Sequence, residues 1–174
     1  GKAFSADAEA GGTDVYSYMN AVAAECEESG LLYYPFLRGS LRCPDAGGIF
    51  LPIHDSHDVR HFCKAVLDGL CCEFTFQLHD SLSSLCPEAA VVYAVGGPSK
   101  SAYLMQRKAD VSGLRVEVPL RQEAAVFGAA LLSAAGCGDR SFEELQSLAH
   151  AQTYHSFSPA PTAASAGISS VYAR

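Results

Sequence analysis

One stretch near the middle of the chain constrains the fold more than any other: a short apolar segment that ends in two glycines. Residues 89–95 read Ala-Ala-Val-Val-Tyr-Ala-Val, and Gly96, Gly97, Pro98 and small polar residues follow them. An apolar run of this length that stops at glycine is typical of a buried strand, and the residues after it predict a helix from about Ser101. The segment therefore predicts a strand–turn–helix unit in an α/β protein.

The turn after this strand has a functional and a structural interpretation. Two successive glycines let a ligand approach the backbone closely, and a helix start presents unpaired N–H groups, as in turns that contact nucleotides. Ser99 and Ser101 would add hydroxyl donors there. The alternative is a tight turn that only reverses the chain and carries an N-cap serine. Because Pro98 has no N–H, we expect a bound nucleotide to contact this turn through its adenosine part.

Helix and strand candidates flank this unit on both sides. The spacing of apolar residues predicts helices from Asp14 to Gly30 and over 58–85, 101–111, 123–135 and 142–149, and strands over 31–37, 49–53, 89–95 and 115–119. The first two strands form a hairpin, and the last two form a parallel pair with a right-handed crossover. Together they predict a mixed sheet with helices on both faces and a ligand at the carboxyl ends of the parallel strands, beside Gly96.

Length and composition indicate one domain with loose ends. A chain of 174 residues favours a single domain, placed here over 14–150. Residues 1–13 are rich in Gly, Ala, Asp and Ser and are expected to be a flexible segment. Residues 151–174 form a Ser/Ala/Pro-rich tail, expected to be extended or disordered except where Tyr154 or Phe157 docks.

Charge and cysteine usage narrow the class of partner and the compartment. A net charge of −7 argues against nucleic acid and anionic membranes as partners. No apolar run reaches the roughly 18 residues of a membrane span. The first residues do not resemble a secretory signal, so we expect a cytoplasmic protein. Seven cysteines without a C-x-x-C pair predict buried, reduced thiols.

Three further patterns do not by themselves establish a binding or catalytic site. Small residues over 123–132 favour close packing of a helix, the alternative being a backbone-lined nucleotide pocket. His57 and His61 have the spacing of zinc ligands on a helix, but Asp58 is the better N-cap, with His61 reaching back to it, and no other side chain completes a zinc set. No arrangement of nucleophile and base is recognisable, so we assign no catalytic residue.

Four segments, taken in order, resemble the C-terminal domain of the FGGY carbohydrate kinases, the family of xylulokinase and glycerol kinase. The resemblance covers about residues 31–138. Its segments are YPFLRG at 34–39, GIFLPI at 48–53 with HFCKAVLDG at 61–69, GGPSKSAYLMQRKADVSGLRVEVP at 96–119, and EAAVFGAALLSAAGCG at 123–138.

This resemblance implies an actin-like, ribonuclease-H-like domain, half of a kinase that phosphorylates a sugar or polyol hydroxyl with ATP and Mg²⁺ in an interdomain cleft. Gly96, Gly97, Pro98 and Ser101 are the implied nucleotide contacts. The catalytic base and most of the sugar site would belong to an N-terminal domain that this chain does not contain. We therefore expect the chain alone to be inactive and to bind ATP with millimolar affinity or not measurably. An exposed sheet edge at the domain boundary would favour a homo-dimer.

Several positions depart from the family pattern. Pro98 replaces a usual Gly or Ala, Pro52 replaces a glycine, and Lys64 and Asp68 stand where Arg and Glu are usual. The loop 39–48 is short, which leaves the particular sugar open. The prolines keep a second hypothesis in view, a non-catalytic actin-like module for nucleotide binding or assembly. A third is an α/β nucleotide-binding domain unrelated to sugars.

Overall fold

The computed structural model describes residues 2–27, 29–40, 43–121 and 123–160. Helices and strands alternate along them. In order they are α1 (Lys2–Ala10), α2 (Val15–Ala24), β1 (Leu32–Tyr34), β2 (Ile49–Leu51), α3 (Val59–Leu85), β3 (Val91–Tyr93), a 3-10 turn (Gly97–Lys100), α4 (Ala102–Ser112), β4 (Arg115–Pro119), α5 (Ala124–Gly136), α6 (Phe142–His150) and β5 (Tyr154–Phe157).

The core lies where α2, α3 and α4 meet and where α4 covers β4. One face of α3 supplies Cys63, Leu67 and Cys71 to it, at the four-residue spacing of one helix face. Met105 of α4 and Val116 of β4 are each 1% exposed. The longest predicted helix is therefore confirmed as the central element of the core.

The start of α3 also follows the prediction. Asp58 is the N-cap, and its carboxylate accepts a hydrogen bond from the backbone N–H of Arg60 at 3.0 Å. The His61 side chain completes a capping box with the backbone of Asp58. His57 accepts a hydrogen bond from the backbone N–H of His54 through Nδ1. The two histidine side chains thus hold the backbone at the N-terminus of α3.

The strands form two separate sheets in the described part of the chain. β1 and β2 make the predicted antiparallel hairpin, in which Tyr33 lies opposite Phe50. β3 and β4 are parallel, as predicted, and Val92 lies opposite Val116. β5 pairs antiparallel with β4, and Phe157 lies opposite Val116. The second sheet is therefore mixed, whereas the hairpin does not join it.

Both ends of the chain hold more regular structure than their composition suggested. The segment expected to be flexible, 1–13, contains α1, in which Ala8 is 1% exposed. Alternating alanines favour a helix there, and the glycine pair that follows ends it. The predicted docking of the tail is confirmed and takes the form of β5, where Phe157 packs on the core and the Tyr154 ring contacts Tyr93. Residues 161–174 lie outside the described residues.

The prediction that α5 packs closely is wrong for the described residues. None of its residues is buried, and Val126 and Leu132 are 65% and 66% exposed. Small residues on a helix permit another element to approach it closely, but they bury nothing unless such an element lies against the helix. The cysteine prediction holds in part, because Cys63, Cys71 and Cys72 are buried while three other thiols are exposed, all seven being free.

Candidate functional site

The turn after β3 has a backbone that requires glycine at its first position. Gly96 has φ 90° and ψ −173°, a region that essentially only glycine occupies. Its carbonyl accepts hydrogen bonds from the backbone N–H of Ser99 at 3.1 Å and from the Ser99 hydroxyl at 2.7 Å. Ser99 is buried and its hydroxyl donates within the turn, so it does not supply the ligand donor that the sequence suggested.

Ser101 joins this turn to α4. It is the N-cap of α4, and its Oγ accepts a hydrogen bond from the backbone N–H of Leu104 at 3.1 Å. The hydroxyl proton remains able to donate to a second acceptor, since a serine hydroxyl can donate and accept at once. Pro98 lies in the first residues of the 3-10 turn, where a missing N–H leaves no gap in the hydrogen bonding.

A cavity of about 730 Å³ opens between this turn and the three core helices. Gly97, Pro98 and Ser101 line it, whereas Gly96 shapes the turn through its backbone. A Cβ added to Gly97 would meet no atom within 4 Å, so this side of the turn faces open space. The volume lies in the range that holds small-molecule ligands.

The remaining walls of the cavity differ in chemistry. The apolar lining comes from α2, α3 and α4, and the polar lining comes from α2 with its N-cap, from the 3-10 turn and from α4. The apolar lining is Met19, Val66, Leu67, Leu70 and Leu104, and the polar lining includes Asp14, Ser17, Asn20, Lys100 and Lys108. The wall from α2 was not predicted from the sequence, although Asp14, Ser17 and Asn20 recur at the spacing of one helix face.

A buried charge network lies between α3 and α4. Arg107 Nε donates to Asp68 Oδ1 at 2.6 Å, and Lys64 Nζ lies 4.0 Å from the same oxygen. Lys64 Nζ also donates to the Tyr103 hydroxyl at 2.9 Å. Burial disfavours the Arg107 charge, but the hydrogen bond to Asp68 and its negative charge outweigh burial, so the pKa of Arg107 is raised.

This network positions the cavity walls. Asp68 of α3 and Arg107 of α4 each lie next in sequence to a residue that lines the cavity. Their ion pair fixes α4 against α3. The sequence showed Lys64 and Asp68 only as departures from a family pattern. A stronger signal was available, because both charges fall within the apolar stripe of α3 at i, i+4 spacing, where a buried charge needs a partner.

The described residues contain no group of three or more His, Cys, Asp or Glu side chains that could hold a metal ion. Within the same part of the chain, no helix combines the length and the apolar character needed to cross a membrane.

Comparison with known proteins gives the family. The chain matches the model of the FGGY family of carbohydrate kinases, C-terminal domain, over residues 2–137. It is 29% identical over 140 residues to a probable L-xylulose kinase of Pasteurella multocida, a match that covers 79% of this chain and 29% of the relative.

Solved structures show the same fold at lower identity. A ligand-bound xylulose kinase from Lactobacillus acidophilus matches with a TM-score of 0.78 at 16% identity, over 94% of this chain and 34% of that one. A Plasmodium falciparum glycerol kinase with ADP matches with a TM-score of 0.76 at 20% identity, over 90% and 32%. The chain thus spans about a third of the length of these kinases, and it has an actin-like α/β fold. It belongs to the FGGY family of carbohydrate kinases, within which it matches the C-terminal domain.

Proposed function

We propose that this chain is the ATP-binding part of a kinase that phosphorylates a sugar or polyol hydroxyl. The observation that carries the proposal is the cavity of about 730 Å³ whose lining includes Gly97, Pro98 and Ser101. Three of the four residues implied by the family resemblance thus line one space at the carboxyl end of β3. That is the edge of a parallel sheet at which α/β proteins bind ligands.

Each residue of the turn has a distinct part in this proposal. Gly97 lets the nucleoside approach the backbone, because no side chain occupies the space in front of it. The Ser101 hydroxyl donates to the ligand while its oxygen caps α4. Gly96 holds the turn in its positive-φ conformation. Phosphoryl transfer depends mainly on positioning, and the contribution of these residues is to fix one end of ATP.

The rest of the reaction is assigned here to groups outside this chain. We propose that the catalytic base, most of the sugar site and the Mg²⁺ ligands belong to the part of the kinase outside this chain. The exposed apolar surface of α5 supports this arrangement, since a helix that is apolar all round is normally buried in a folded protein. The chain spans about a third of the solved kinases, so we propose that the remaining domain covers α5.

The binding claim is tested by matched glycine variants. Gly97→Val places a branched side chain in the cavity, and we expect it to weaken ATP binding roughly tenfold, which corresponds to about 1.4 kcal/mol. Gly47→Val is the control, because Gly47 is exposed, has no positive φ and also faces open space, but lies outside the cavity lining. Saturation-transfer NMR measures millimolar dissociation constants. Equal affinity in the wild type and in Gly97→Val would overturn the assignment of the turn.

The activity is tested with the full-length protein that contains this chain. We expect it to consume ATP with a pentulose, a hexulose or a polyol in a panel of acceptors, and the chain alone to consume none. Failure of the full-length protein to turn over any acceptor would favour the non-catalytic nucleotide-binding or assembly module instead.

A further inference from the structure

Asn20 has an unused hydrogen-bonding side chain in the wall of the cavity. It lies on α2, is half-buried and contributes to the lining opposite the turn. Its amide makes no hydrogen bond to any other described residue. Asp14 and Ser17 of the same wall are already hydrogen-bonded, because Asp14 accepts hydrogen bonds from two backbone N–H groups at the start of α2 and from the Ser17 hydroxyl. On this wall, Asn20 is the side-chain amide, and it keeps both a donor and an acceptor for a ligand.

The surroundings of Asn20 suit a flat heterocycle. Apolar side chains of three helices line the cavity beside it, and Leu70 is 43% exposed there although it is a large hydrophobic residue. A cavity with apolar walls that also holds a free side-chain amide can bury the faces of a base and read one of its edges. A sugar would leave these apolar walls without a partner, so the observations favour the base of a nucleotide.

The amide also favours one base over others. Adenine presents an exocyclic amino donor beside a ring-nitrogen acceptor, and the asparagine oxygen and amino group match this pair. Hypoxanthine carries a carbonyl oxygen where adenine has the amino group, so its N7 edge offers two acceptors, which the asparagine amide cannot match. We propose that Asn20 is the specificity-determining residue that selects adenine in this cavity, an inference that rests on the proposed nucleotide-binding function.

The test compares ATP with inosine triphosphate, which differs from ATP at this group. Asn20 is the only asparagine in the sequence, so asparagine labelled in its side-chain nitrogen gives one amide signal that reports on this residue alone. We expect ATP to bind roughly tenfold more tightly than inosine triphosphate and to shift that signal further. In Asn20→Ala, the affinity for ATP should fall to the affinity for inosine triphosphate. Gln77→Ala, an exposed amide on α3, is the control and should retain the preference.

The outcomes separate the two claims. If both nucleotides bind equally and the Asn20 signal does not move, adenine selection is wrong while nucleotide binding stands. Adenine selection by Asn20 is also wrong if Asn20→Ala keeps the preference for ATP. If neither nucleotide shifts any signal of the cavity lining, the proposed function fails and this inference fails with it.

Discussion

Substitution of Asp68 is expected to destabilise the chain more than substitution of either of its cationic neighbours. The Asp68, Lys64 and Arg107 side chains are 5%, 7% and 9% exposed, so the network is removed from water. One carboxylate serves two cations there. Asp68→Asn would leave two buried positive charges facing a neutral amide, whereas Arg107→Met would leave a balanced pair of Lys64 and Asp68.

The magnitudes follow from this asymmetry. Loss of one partner from a buried ion pair costs about 3–5 kcal/mol, and Asp68→Asn should fall in that range because both cations lose their counter-charge. Arg107→Met also removes a buried Nη2 that has no hydrogen-bond partner among the described residues, and it leaves Lys64 near Asp68. We therefore expect this variant to lose about 1–3 kcal/mol, the cost of leaving the buried Asp68 carboxylate without its hydrogen bond.

Urea unfolding followed by far-ultraviolet circular dichroism measures these losses, since the chain is rich in helix and has no tryptophan. Glu73→Gln on the same helix is the control, because Glu73 takes part only in an exposed hydrogen bond with Gln77, and we expect a change within about 0.5 kcal/mol. The reasoning is refuted if Arg107→Met is as destabilising as Asp68→Asn, or if Asp68→Asn lies within about 1 kcal/mol of the wild type.

Two further predictions concern titrating groups. Burial raises the pKa of Cys72 to about 12 and also raises that of Cys71. Both thiols should therefore resist alkylation in the native chain, while the exposed Cys137 reacts, and mass spectrometry measures the labelling of each. Equal labelling of Cys71 and Cys137 would contradict the packing of α3. Hydrogen bonds from the side chain and the backbone N–H of Arg60 hold the pKa of Asp58 well below its usual range. Its contribution to stability is therefore present above about pH 4 and is lost as the pH falls below that value. The difference in melting temperature between the wild type and Asp58→Asn should shrink from about pH 6 to about pH 3, and a constant difference would argue against this cap.

The elements with strong local signals could be predicted from the sequence. The apolar spacing along α3 and the N-cap at Asp58 depend on neighbours within one or two turns, so the chain itself carries the information. The parallel pairing of β3 and β4 followed from the helix between them, since a crossover of that kind leaves few arrangements.

Features that depend on distant contacts could not be predicted in this way. The role of Arg107 requires that α4 lies against α3, and no local pattern states which two helices meet. Likewise, Asn20 joins the cavity because α2 lies opposite a turn that follows it by many residues. α5 shows the converse, because its small residues predict close packing while the described residues place no covering element on it.

The most direct test of the central claim is a titration of the chain with ATP, followed by two-dimensional amide NMR. If the cavity between α2 and the turn after β3 holds the nucleotide, the largest shifts should cluster at Gly97, Ser101 and Asn20, with a millimolar dissociation constant. Shifts confined to α5 and α6, or no shifts at millimolar ATP, would contradict the account.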